Sequence, residues 1–225
     1  YECTNEEFCS EKELEYKVDE RSDSSLINWV GKFGLECAPK SKFGLFGSMF
    51  FAGVVAGSPI FPRLSDIYGR RRVALIGNLL HLISGILFHI TGSFIFSLVL
   101  IFTMGFGMAA RAFVGYVFMS ENMRVSDVST CTVFMFAIDS STIFVAAIYF
   151  KYCSRDWKYL FAFPLLVQCF AIFAMYKQSE SPKFYHSIGN FDMARIVLTN
   201  IGRYNGVLSP SEKFEKTFAS EFLVE

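Results

Sequence analysis

Hydrophobic residues in this chain come in long runs, with the charged residues collected between them. Lys42 and Arg63 bracket 20 uncharged residues. From Val73 to Ala110 there is no Asp, Glu, Lys or Arg over 38 residues, enough for two spans of about 20 residues each. Thr91-Gly92-Ser93 is the natural break between those two, because small turn-forming residues sit there at span spacing. The second of them continues through Arg111 to about Ser120. A fourth span runs from about Ser129 to Phe150, interrupted only by Asp139, and a fifth from about Tyr159 to Tyr176, ending at Lys177. Lipid leaves an open strand edge unsatisfied, so these runs are helices.

Five spans divide the chain into residues 1–42, a membrane bundle over 43–176, and residues 177–225. The loop after the first span carries Arg63, Arg70, Arg71 and Arg72, whereas the Thr91–Ser93 hairpin carries no basic residue. Positive charge stays in the cytoplasm. Residues 1–42 are therefore expected outside or in a lumen, and 177–225 inside, in the plasma membrane or an organelle membrane. Lys151, Arg155 and Lys158 break the rule, since the same count places them outside.

Composition agrees with the pattern. The chain is 52% hydrophobic and 19% charged, with 21 basic and 21 acidic residues, which excludes a basic nucleic-acid binder and an acidic disordered chain. It begins at Tyr1, and is read as an internal piece of a longer protein. Cys3, Cys9 and Cys37 all fall in the segment placed outside, where disulfides persist. Three is an odd number, so one of them either pairs upstream or stays a thiol.

The stretch GVVAGSPIFPRLSDIYGRRRV (Gly53–Val73) resembles the signature loop of the major facilitator superfamily, G-x3-D-R/K-x-G-R/K-R/K. Asp66, Gly69, Arg70 and Arg71 match it, and Gly53 and Gly57 match the small residues before it. Pro62 replaces the pattern's first glycine. Further stretches resemble the organic cation/anion transporter branch: INWVGKFGLEC (Ile27–Cys37), GYVFMSE (Gly115–Glu121), Arg155-Asp156-Trp157-Lys158, Glu180-Ser181-Pro182-Lys183-Phe184, and DMARIVLTNIGRYNG (Asp192–Gly206). The last is similar to that branch's amphipathic cytoplasmic helix, and the first to its cysteine-bearing ectoloop. The resemblance implies an all-α membrane protein. Its five spans would be helices two to six of a twelve-helix transporter, an incomplete N-terminal bundle, with helix one upstream and the second bundle downstream.

The resemblance also implies a conformational charge network on the cytoplasmic side, formed by Asp66, Gly69, Arg70, Arg71, Glu121, Arg124 and Glu180. The plainer role of the arginines is to set topology and meet anionic headgroups. Within the spans, Gly107, Arg111 and Gly115 fall on one helical face by i, i+4 spacing. Arg111 lies about 15 Å from its helix end and Asp139 about 18 Å along the next span, so the two are expected to meet, directly or through water, near mid-membrane. Buried charges there are costly and usually paired. Such a pair either holds two helices together or borders a substrate cavity. His81, Phe113, Tyr116 and Phe136 are the remaining substrate or ion-coupling candidates.

No His-Glu-x-x-His, Gly-x-Ser-x-Gly or Cys-x-x-Cys motif occurs, and only three histidines are present. An enzyme, a metal centre and a cofactor are therefore not expected. Gly105–Ala110 fits a G-x-G-x-x-A dinucleotide pattern, but lies inside a span with no strand before it. The expected function is secondary active or facilitative transport of small organic solutes, organic ions foremost, by alternating access. Its partners are the lipid bilayer, the solute, and protons or Na+ as candidate coupling ions. A sugar porter of the same superfamily and a non-transporting scaffold or receptor on the same fold are the rivals.

Overall fold

The computed structural model describes Cys9 and residues 27–207, and among these the regular structure is helical apart from one isolated bridge. A short helix α1 (Trp29–Lys32) precedes α2 (Lys40–Gly57) and α3 (Ile60–Tyr68). Then come α4 (Arg70–Ile90), α5 (Phe94–Asn122), α6 (Val125–Cys153) and α7 (Trp157–Lys177). Two surface helices follow, α8 (Pro182–Ser187) and α9 (Phe191–Tyr204). The helix starts are written locally: the side chains of Asn28, Ser93, Asp156, Ser181 and Asn190 each accept from a backbone amide of the first turn.

Four helices are each long and apolar enough to cross a bilayer, and α2 with α3, bent by 41°, makes five when that pair is counted as one span. The expected uncharged span over 43–62 thus ends differently. α2 stops at Gly57, and Pro59 starts a new helix that carries Arg63 and Asp66 on to Tyr68. Proline lacks the N–H and crowds the preceding turn, which breaks the rod there. The Thr91–Ser93 break falls as expected between α4 and α5. The later spans run a few residues past their expected limits at both ends of α6 and at the start of α7.

Packing follows small residues. α5 lies between α2 and α4, and α4 also packs against α7. A Cβ on Gly53 would collide with the Phe102 carbonyl, one on Gly105 with the Phe50 carbonyl, and one on Gly77 with the Ala110 methyl. Gly107 faces the Gly77 carbonyl, which a Cβ would meet at 2.7 Å. Lipid tails are as apolar as leucine, so close backbone approach is what drives such helices together. Beside Pro62, Phe61 is buried with its ring 4.8 Å from that of Phe106.

One packing expectation fails. Gly107 and Gly115 do not share an interface: nothing lies within 4 Å of a Cβ built on Gly115. The cause is a π-turn over Ala110–Val114. The wider turn rotates everything after it, so i, i+4 spacing no longer keeps one face. Ala109, Ala110 and Val114 become the buried positions instead. α6 is different in kind, since none of its residues is buried.

Replacing Gly77 by valine should cost the bundle about 1–3 kcal/mol through overpacking against Ala110. The expected readout is a lower melting temperature in detergent. Gly115→Ala should not lower it, and a comparable loss for both would contradict the packing described.

Candidate functional site

The turn between α3 and α4 is made by Gly69 at φ 103°, a conformation that disfavours any side chain. A Cβ there would also strike the Glu180 carboxylate. This turn places Arg70 at the hub of a charge network. Arg70 Nη2 lies 2.9 Å from Asp66 Oδ1, and Nε lies 3.3 Å from Glu121 Oε2. Nη1 donates to the Ser65 carbonyl at 3.3 Å, and the guanidinium carbon sits 5.5 Å from the Phe184 ring centre. The two ion pairs are unequal. The Asp66 side chain is 69% exposed and that of Glu121 only 12%, so solvent screens the first far more.

Glu180 completes the junction without facing a cation directly. Its Oε1 accepts from Arg71 N at 2.8 Å and from Ser181 N at 3.1 Å. It thereby caps the N-terminus of α4, where the helix dipole favours a negative charge. Arg71 Nη1 donates to the Gln178 carbonyl, which ties the end of α7 to the same turn. Asp66, Gly69, Arg70, Arg71, Glu121 and Glu180 therefore come together. Arg124 stays out: its side chain is exposed at the start of α6 and makes no ion pair among the described residues.

Mid-span, Arg111 and Asp139 make no direct ion pair among the described residues. Arg111 Nη2 donates to Met108 Sδ at 3.0 Å. Asp139 acts on Arg111 electrostatically, but no contact within the 4.0 Å limit of an ion pair joins them among the described residues. Asp139 is exposed on a helix with no buried residue, and Arg111 lies within the π-turn Ala110–Val114. Phe113, Tyr116 and Phe136 are likewise exposed, at 46%, 38% and 68%.

His81 has a closer setting. Its Nδ1 lies 3.0 Å from Gln168 Oε1, and Gln168 Nε2 donates to the Asn78 carbonyl at 2.9 Å. Asn78 Nδ2 in turn donates to the Ala74 carbonyl at 2.9 Å. This chain joins α4 to α7 inside the bundle. Gln168 was not anticipated as a functional residue; its signal is a lone amide within the apolar run Leu165–Phe170. His81 is also near enough to Arg111 for the two to interact electrostatically.

The opposite end is closed by the segment around Cys37. A disulfide joins Cys9 to Cys37, while Cys3 lies outside the described residues. Ile27 bridges to the α6–α7 loop, donating to the Arg155 carbonyl at 3.1 Å and accepting from Trp157 N at 3.2 Å. Lys32 Nζ donates to the Phe88 and His89 carbonyls at 2.8 and 2.9 Å, capping the C-terminus of α4. It also lies 5.3–5.5 Å from the ring centres of Phe33, Phe88 and Trp157. Burial among these groups holds its ammonium below the usual lysine range, and the Lys158 charge adds to that. Lys158 thus stands at the same end as the Cys37 segment, as the span count requires.

A multi-span helical bundle with this loop defines a class, the integral membrane proteins of the major facilitator type. The family described as sugar (and other) transporter matches residues 4–221. The chain belongs to this family, and the relatives it resembles include organic cation/carnitine transporters. It is 27% identical to human (Homo sapiens) organic cation/carnitine transporter 2 over 199 residues, which is 86% of this chain and 35% of that protein. It is 29% identical to Arabidopsis thaliana organic cation/carnitine transporter 4 over 181 residues, 79% of this chain and 34% of the relative. Solute carrier family 22 member 2 of Mus musculus is 27% identical over 183 residues, covering 80% and 32%. The chain spans about a third of the length of these relatives.

Gln168→Leu should leave His81 without its partner and lower resistance to unfolding by about 0.6–1.7 kcal/mol. Denaturant titration in mixed micelles reads this directly. An unchanged midpoint would mean that the amide does not hold α4 to α7.

Proposed function

We propose that the complete protein transports small organic solutes, organic ions foremost, by alternating access, and that this chain supplies helices two to six of its N-terminal bundle. The observation that carries the reading is the Arg70 junction. One guanidinium links the α3–α4 turn to the end of α5 through Glu121, beside the start of α8. Such a node can be made and broken as helix ends move, so its strength biases the balance of two conformations. The arginine face is the cytoplasmic one in this reading, and the Cys9–Cys37 disulfide lies outside. Arg111, Asp139 and His81 are the groups nearest mid-membrane that bear on a charged solute or a coupled proton, with Na+ as the other candidate ion. Catalysis is no part of the proposal.

The test is uptake of labelled organic cations, organic anions and sugars by the complete protein, with and without a pH gradient. Saturable uptake of an organic ion is expected. Uptake of sugars alone would replace this reading with a sugar porter, a rival that the breadth of the family's description keeps in play. No uptake at full surface expression would favour a scaffold or receptor. Within the transporter, Glu121→Gln should lower turnover at least about fivefold while changing KM less than turnover. Asp66→Asn should do less, because its ion pair is the exposed one. Equal effects would remove Glu121 from the latch.

A further inference from the structure

A cavity of about 540 Å³ opens at the arginine face, between the α3–α4 turn and the α8–α9 pair. Arg71 and Arg72 line one wall, and Tyr185 and Asn200 the other. We propose that this cavity binds the phosphate headgroup of an anionic phospholipid.

Three observations carry the proposal. The first is charge. Of the charged groups lining the cavity, two are arginines and one is Glu180. The Glu180 carboxylate already accepts two backbone amides, so its charge is held by the α4 and α8 N-termini. Arg72 is exposed and makes no ion pair among the described residues. Arg71 keeps Nη1 on the Gln178 carbonyl, and its buried Nε has no hydrogen-bond partner among them. A phosphate supplies several acceptors at once and suits a guanidinium fork.

The second is position. α4 begins at Arg70 and α7 ends at Lys177, so a cavity lined by Arg71, Arg72, Ser179 and Glu180 sits where the spans leave the bilayer. The third is the rim. Ile67, Tyr68 and Ile196 line the same cavity and are 66%, 58% and 52% exposed. Apolar side chains beside paired arginines fit an amphiphile, with the glycerol and acyl region against the rim. A free phosphate would use the arginines and leave the rim uncovered. The proposal is independent of which solute the protein carries.

The complete protein, purified in detergent, is titrated with phosphatidylglycerol, phosphatidylcholine and inorganic phosphate, and bound lipid is counted by native mass spectrometry. Phosphatidylglycerol is expected to be retained in preference to phosphatidylcholine. Arg72→Gln should lower that retention about fivefold. Arg63→Gln removes an equal charge from the same face outside the cavity, and should leave retention near wild type. Arg72 is exposed, so its loss should not disturb folding, and an unchanged melting temperature checks this. Equal losses in the two variants, or no preference for the anionic lipid, would overturn the proposal. Displacement of phosphatidylglycerol by an equal concentration of inorganic phosphate would overturn the lipid as occupant in favour of a free anion.

Discussion

Helix-to-helix contact without side chains between the backbones is the constraint from which the rest of this structure follows. Gly53 and Gly105 let α2 and α5 touch, and Gly77 and Gly107 do the same for α4 and α5. In a bilayer no hydrophobic gain separates a leucine against lipid from a leucine against protein. Contact must therefore come from close packing and from internal polar groups. The Asn78–His81–Gln168 chain meets the second need between α4 and α7. α6 has neither device on a buried face, and it is the span on which nothing is buried.

Once those helices are fixed, their ends are close enough for polar closure on both faces. At one face Gly69 turns the chain tightly enough that Glu180 reaches the first amides of α4. Arg70 is then aimed at Asp66 and Glu121 together. At the other face Lys32 meets the last carbonyls of the same helix. α4 thus has an acid at its N-terminus and an ammonium at its C-terminus, each supplied from elsewhere in the chain. Both charges complement the helix dipole.

Much of this was legible in the residues. Charge-free runs of span length disclose helices, because a bilayer tolerates few alternatives. The Asp66–Arg71 loop, Glu121 and Glu180 were expected at one face, and the structure brings them together there. Arg124 was expected with them. It stays exposed because it precedes α6, the span that packs least. Arg111 and Asp139 make no direct ion pair among the described residues. Counting 1.5 Å per residue gives a depth but not an azimuth, and the π-turn after Ala109 altered the azimuth.

The sequence alone therefore determined the apolar helices, the α4–α5 hairpin, and the family to which the chain belongs. These depend on local properties: hydropathy, turn residues and short motifs. Tertiary structure decided which charges touch, where α2 ends and α3 begins its new direction, and which glycines lie at an interface. It also made Glu180 a cap for a helix more than a hundred residues earlier and Gln168 a partner for His81. Those outcomes depend on the rotation of each helix about its axis. A π-turn or a proline bend changes that rotation for everything after it, so distant contacts could be known only once the helices were set against one another.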